Sequence, residues 1–190
     1  MKHHAVPVKF CSLLLPLFLS YVALGCLISE TTEFKVTMND DGKSGTIVTT
    51  MRNVQSGETD KEKQDKDFEE AINSWKGDDY LLERMHDGLY VKERDLSLKD
   101  SVLVWREKAI FADIGEVFKN EFNNDTLRFV IKDDQTIVGT NGTVLSSPDS
   151  SVVWWALPAA KEIYLATKEN SFAPKSDFAG RYKSYIAEHH

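Results

Sequence analysis

Two runs that read as strands, Glu33 to Asn39 and Thr46 to Val54, flank the segment Asp40-Asp41-Gly42-Lys43-Ser44-Gly45. Phe34, Val36 and Met38 alternate with Lys35 and Thr37, the period of a strand with one buried face. Asp-Gly between such runs signals a hairpin, because glycine accepts the positive φ of a tight turn. A chain that opens this way is committed to antiparallel pairing, and an apolar sheet face needs a cover.

The rest of the chain supplies more strands and some helix. Phe68, Ala71, Ile72 and Trp75 recur at i, i+3, i+4 and i+7, which predicts an amphipathic helix stopped by Gly77. Asp78 or Asp79 is the expected cap of a short second helix carrying Leu81, Leu82 and Met85. Leu89 to Leu98 and Ser101 to Phe111 read as a second hairpin around Lys99-Asp100. Asp113 and Glu116 have capping-box spacing ahead of a helix presenting Ile114, Val117, Phe118 and Phe122. Strands are expected around Leu127 to Ile131, Thr136 to Val138, Val152 to Leu157 and Ile163 to Thr167. From Asn170 the tail is polar and contains Pro174, with Phe178, Tyr182 and Tyr185 available to dock it. The fold class is therefore α+β, an antiparallel sheet built from hairpins with two helices packed on one face.

The N-terminus has a different character. Lys2 and Lys9 precede an uncharged apolar run, Phe10 to Gly25, that ends in Val22-Ala23-Leu24-Gly25-Cys26. A positive start, an apolar centre and a small residue at the cut are the parts of an export signal. The ending resembles the lipobox of bacterial lipoprotein precursors, with Ala23 where that pattern usually has Leu. The resemblance implies cleavage between Gly25 and Cys26 and acylation of Cys26, with palmitate among the chains. The alternatives are an uncleaved anchor helix over residues 10–28, at the short end for a span, and an ordinary secretory signal cut near Gly25. The expected organisation is a signal peptide at 1–25, a lipidated tether at 26–32 and one domain at 33–190. Leu27 to Thr32 reaches at most about 20 Å, so the domain should ride close to the bilayer. Leu27, rather than Asp, after the acylated residue leans toward the outer membrane, on its periplasmic side or surface, over the inner one.

Cysteine usage agrees with export. The two cysteines are Cys11 and Cys26, and the first leaves with the signal. An exported chain pairs its thiols or avoids them, and acylation removes the remaining one. Two or more acyl chains hold a protein stably at about 0.8 kcal/mol per buried CH₂.

The 190-residue chain carries −7, and residues 1–25 contribute only two lysines, leaving −9 on the remaining 165 residues. That length suits one domain with a real core. An acidic domain without a basic stripe is a poor nucleic-acid ligand, and anionic headgroups repel it within a Debye length of about 8 Å. The acyl anchor must then hold the domain against mild repulsion.

Two stretches resemble a loose group of small bacterial envelope lipoproteins, the LppM-like kind. One is Val36 to Thr46, a strand followed by Asp-Gly-Lys-Ser-Gly and a Thr-rich strand. The other is Ile137 to Gly142, then a loop, then Val152-Val153-Trp154. The Pro-Gly that often opens the second motif is replaced by Asp134-Gln135. The resemblance implies a membrane-tethered β-rich domain and carries over no catalytic residue.

Nothing in the sequence marks an active site. An EF-hand register on Gly42 would put Thr37 and Val48 where carboxylates belong, so Asn39 to Gly42 reads as a turn. Gly42-Lys43-Ser44 lacks the earlier glycine of a phosphate loop. His86 is the single internal histidine, beside Asp87 and Gly88 at an expected helix end, without a nucleophile in evidence. No metal site or cofactor is expected. The carboxylate pairs Glu69-Glu70, Asp78-Asp79 and Asp133-Asp134 leave a hydrolase as a third reading. The sequons at Asn124 and Asn141 read as turns in a bacterial export context.

Trp154-Trp155 is the conspicuous aromatic feature. Adjacent strand residues face opposite sides, so one of the two points away from the core. The expected place for the outward one is under a helix, since a two-layer domain buries both faces of much of its sheet; the alternative is contact with a ligand or a membrane interface. The first functional expectation is a non-enzymatic, lipid-anchored envelope protein with a structural or interaction role, whose partners are the membrane through Cys26 and another envelope component. The second is a carrier of a lipid or other apolar ligand, with a pocket lined by Phe68, Trp75, Trp105 and Phe129.

Overall fold

A computed structural model describes residues 27–148, 150–157 and 159–189. The predicted Cys26 and the whole signal segment lie outside the described residues. The elements in chain order are β1 (Leu27–Ile28), β2 (Thr31–Met38), β3 (Gly45–Arg52), β4 (Gln55–Ser56), α1 (Lys61–Lys76), α2 (Asp78–His86), β5 (Leu89–Lys99) and β6 (Val102–Phe111). They continue with α3 (Ile114–Val117), β7 (Phe122–Asn123), β8 (Thr126–Lys132), β9 (Gln135–Thr140), β10 (Thr143–Ser147), β11 (Ser150–Ala156), β12 (Glu162–Glu169) and α4 (Phe178–His189).

The α+β class holds, with every strand pair antiparallel. A six-stranded sheet runs β5-β6-β3-β2-β12-β9, and a separate four-stranded sheet runs β10-β11-β8-β7. The opening hairpin forms as its alternation requires, with Val36 opposite Ile47 and Phe34 opposite Thr49. Asp41 Oδ1 accepts from the backbone N–H groups of Lys43 and Ser44, each at 2.9 Å, and Gly42 has φ 67°. The segment is a turn, locked by its own aspartate.

Register puts Phe34, Val36, Ile47, Ala109, Phe111, Ile163 and Leu165 on one face of the large sheet. The small sheet covers that face with Leu127, Phe129, Ile131, Val153 and Trp155, all buried in the same cluster. Phe129 is the hub: its ring lies 5.1 Å from Phe34, 5.7 Å from Phe118 and 5.9 Å from Trp155. Full burial of such side chains contributes about 1.5–3 kcal/mol each.

A second apolar cluster joins Leu27, Phe68, Ala71, Ile72, Phe178 and Tyr182 to Leu96 and Leu103 of the large sheet. Here helices, not strands, provide the cover. The periodicity of α1 holds: Phe68, Ala71 and Ile72 are buried, and Asp60 caps the helix by accepting from Lys63 N. The polar-looking tail forms α4, whose Tyr182 hydroxyl donates to the Leu96 carbonyl. The cover of the large sheet is thus a small sheet as well as helices, which the expected single layer of two helices did not include.

Three local expectations change. Leu27 is buried and paired with Ser56, and Thr31 and Thr32 begin β2, so most of residues 27–32, expected as part of the tether, are strand. α2 begins with Asp78 and Asp79 inside its first turn and has Gly77, without a side-chain bond, at its cap. α3 is one turn long, capped by Asp113, and Phe122 opens β7 instead of extending the helix.

Candidate functional site

The strand alternation that builds the inner face of the small sheet defines its outer face. Trp155 is 4 % exposed, and its Nε1 donates to Asn141 Oδ1 at 2.7 Å. The same Asn141 oxygen accepts from Tyr164 N, and its Nδ2 donates to the Glu162 carbonyl. Asn141 therefore ties β11 of the small sheet to β12 of the large one. Its neighbour Gly142 lies against the Trp155 ring, where a Cβ would sit 2.5 Å from Cε2.

Trp154 points the other way. It is half-buried and lies opposite Arg128 on β8 and Thr143 on β10. One pair along the same face, Leu145, Val152 and Val130 stand in register across three strands. Leu145 is 62 % exposed and Val130 51 % exposed, so no element among the described residues covers this row. The outer face is an open strand surface with an apolar row and a tryptophan beside an exposed arginine. Open faces of this composition suit protein contacts better than they suit the enclosure of small molecules.

A second polar feature lies between α2 and the large sheet. Glu107 faces inward on β6 in line with Leu103, Ala109 and Phe111. Arg84 donates to Glu107 Oε1 through Nε at 3.2 Å and through Nη2 at 2.8 Å. The Tyr80 hydroxyl donates to Oε2 at 2.6 Å. Burial, with the Glu107 carboxylate adding to it, pushes the Tyr80 phenol well above its usual range. Both carboxylate oxygens are occupied by protein donors and no side is open to solvent, so the cluster fastens α2 to the sheet. Sequence reading missed it, although an acidic residue on the apolar side of a strand's alternation was the available signal.

The carboxylate pairs do not assemble a site. Glu69, Asp78, Asp79 and Asp133 are exposed on helix surfaces and in a turn. His86 is exposed at the last position of α2. Among the described residues no group of three or more His, Cys, Asp or Glu is placed to hold a metal ion. Phe68, Trp75 and Trp105 belong to the helix-covered cluster and Phe129 to the other, so the four do not line one cavity. A shallow groove of about 580 Å³ runs along α4 beside Phe68, bordered by Asp177, Arg181, Ser184, Tyr185 and Glu188. The Arg181 guanidinium lies 4.3 Å from the centre of the Phe68 ring, so the groove wall mixes polar and apolar surface.

Comparison of the chain with protein-family models, with curated proteins and with solved structures gives no match. Among the described residues no helix is long and apolar enough to cross a membrane.

Proposed function

We propose that this chain is a lipid-anchored protein of the bacterial envelope with a non-catalytic interaction role. In this reading Cys26, acylated and made the first residue by cleavage after Gly25, holds the domain on the membrane. The outer face of the small sheet, centred on Val152 and Trp154, meets another envelope protein. The observation that carries the interaction role is the uncovered row Leu145–Val152–Val130 with Trp154 beside it. Anchoring rests on the sequence from Lys2 to Cys26. Leu27, which follows Cys26, is buried and paired with Ser56, so in this reading little free chain separates the lipid from the domain.

Two experiments test the two halves. Cys26→Ser should abolish palmitate labelling and leave the protein unprocessed or released from membranes. Labelling that survives the substitution overturns the anchor. Val130→Lys with Trp154→Ala should shrink the complex recovered from gently solubilised membranes while lowering the melting temperature by no more than a few degrees. An unchanged complex overturns the outer-face contact.

A further inference from the structure

A sheet edge exposes a row of unpaired backbone N–H and C=O groups, and proteins usually blunt it with charge, bulges, proline or brevity. The edges of this molecule differ in that respect. β5, the edge of the large sheet, carries Lys92, Glu93, Arg94, Asp95 and Lys99, and its register shifts between Val91 and Glu93. β9, the opposite edge, meets a register shift at Ala166/Thr167, and β7 has two residues. β10 has none of these protections. Its five residues, Thr143-Val144-Leu145-Ser146-Ser147, are all exposed, uncharged and in regular register with β11.

We propose that β10 pairs with β10 of a second copy of this chain, antiparallel about Leu145, joining the two small sheets into one continuous eight-stranded sheet. The strand is suited to itself. Pairing centred on Leu145 sets Thr143 against Ser147 and Val144 against Ser146, so hydroxyl residues meet at both ends and no charges meet anywhere. In a chain of net charge −7, an edge free of Asp and Glu is where two copies approach without local repulsion.

The side chains agree with the backbone. Directly opposed residues of an antiparallel pair share a face. Leu145 therefore meets its twofold mate on the outer face, and the row of three becomes one six-residue stripe from Val130 of one copy to Val130 of the other. A foreign strand would have to bring its own apolar residue to that position. The pairing is isologous and closed, so it removes the free β10 edge of both copies instead of propagating a fibre.

Five residue pairs make a small interface, in the class of weak, transient contacts. The association should therefore depend on concentration. It does not require Cys26 to be acylated, and it leaves the outer face open, so it stands or falls separately from the anchor and from the partner contact.

The test is sedimentation of the purified full-length chain in a mild detergent from about 10 µM to about 1 mM, a range set by micromolar-class affinity. It is paired with backbone hydrogen exchange at both ends of that range. The wild type should shift from monomer toward dimer, and amides of 143–147 should gain protection as it does. Leu145→Lys, at a position 62 % exposed, should stay monomeric with an unchanged melting temperature. A chain monomeric throughout overturns the proposal. So does a dimer that Leu145→Lys leaves intact or that forms without protecting 143–147, because the contact then lies elsewhere or with a different partner.

Discussion

Arg84 Nη2 lies 2.8 Å from Glu107 Oε1, and the two side chains retain only 4 % and 1 % of their exposure. An ion pair this far from water is held at a large desolvation cost, so its two halves depend on each other. Arg84→Met alone should lower stability by about 3–5 kcal/mol, because it strands a buried carboxylate. Replacing the cluster together (Arg84→Met, Glu107→Leu, Tyr80→Phe) should recover most of that loss. Urea unfolding of the single and triple variants measures both, and a single variant close to wild type would mean that Glu107 finds another partner.

Tyr80 gives the same cluster a signature in alkali. Its phenol titrates well above 10.0 in the fold, first because it is buried and then because Glu107 is beside it. The folded state therefore holds the proton more tightly than the unfolded chain. The stability this confers is complete below about pH 10 and declines as pH rises from there toward the folded value. Melting temperatures from pH 8 to pH 11 should fall more steeply for wild type than for Tyr80→Phe.

The two tryptophans should separate cleanly. Trp155→Ala removes a buried ring and the partner of Asn141, and should cost about 3–5 kcal/mol. Trp154→Ala removes a half-exposed ring from an uncovered face and should cost under about 1 kcal/mol. Equal losses in thermal unfolding would contradict the inward and outward assignment.

Gly45 closes the first hairpin where a Cβ would run into the Thr37 carbonyl oxygen and the Phe111 ring. The oxygen belongs to the backbone and cannot swing aside. Gly45→Ala should therefore destabilise the domain by about 1–3 kcal/mol, measurable as a lower midpoint in urea.

Local pattern carried the hairpins and α1 because strand and helix periods are written in neighbouring residues, as in Phe34-Val36-Met38 and Phe68-Ala71-Ile72. The division of the longer strands between a six-stranded and a four-stranded sheet was not legible. It depends on β2 pairing with β12, more than a hundred residues away, and no local period encodes that choice. α4 was obscured because its apolar face is only Phe178, Tyr182 and partly buried Tyr185 and Ile186 in a polar tail. α3 stopped early because the Phe118 backbone leaves the helix and Phe122 is drawn into pairing with Leu127. For the candidate site, alternation gave the opposite directions of Trp154 and Trp155. The apolar row beside Trp154 depends on the register among β10, β11 and β8, which emerges only in the fold.

The central claim is that Cys26 carries the domain on a membrane. Intact-mass measurement of the protein recovered from bacterial membranes tests it most directly. The account predicts a chain beginning at Cys26 whose mass exceeds that of residues 26–190 by a diacylglyceryl group, with or without a further acyl chain. A chain that retains residues 1–25, or one trimmed but bearing no lipid, would contradict it.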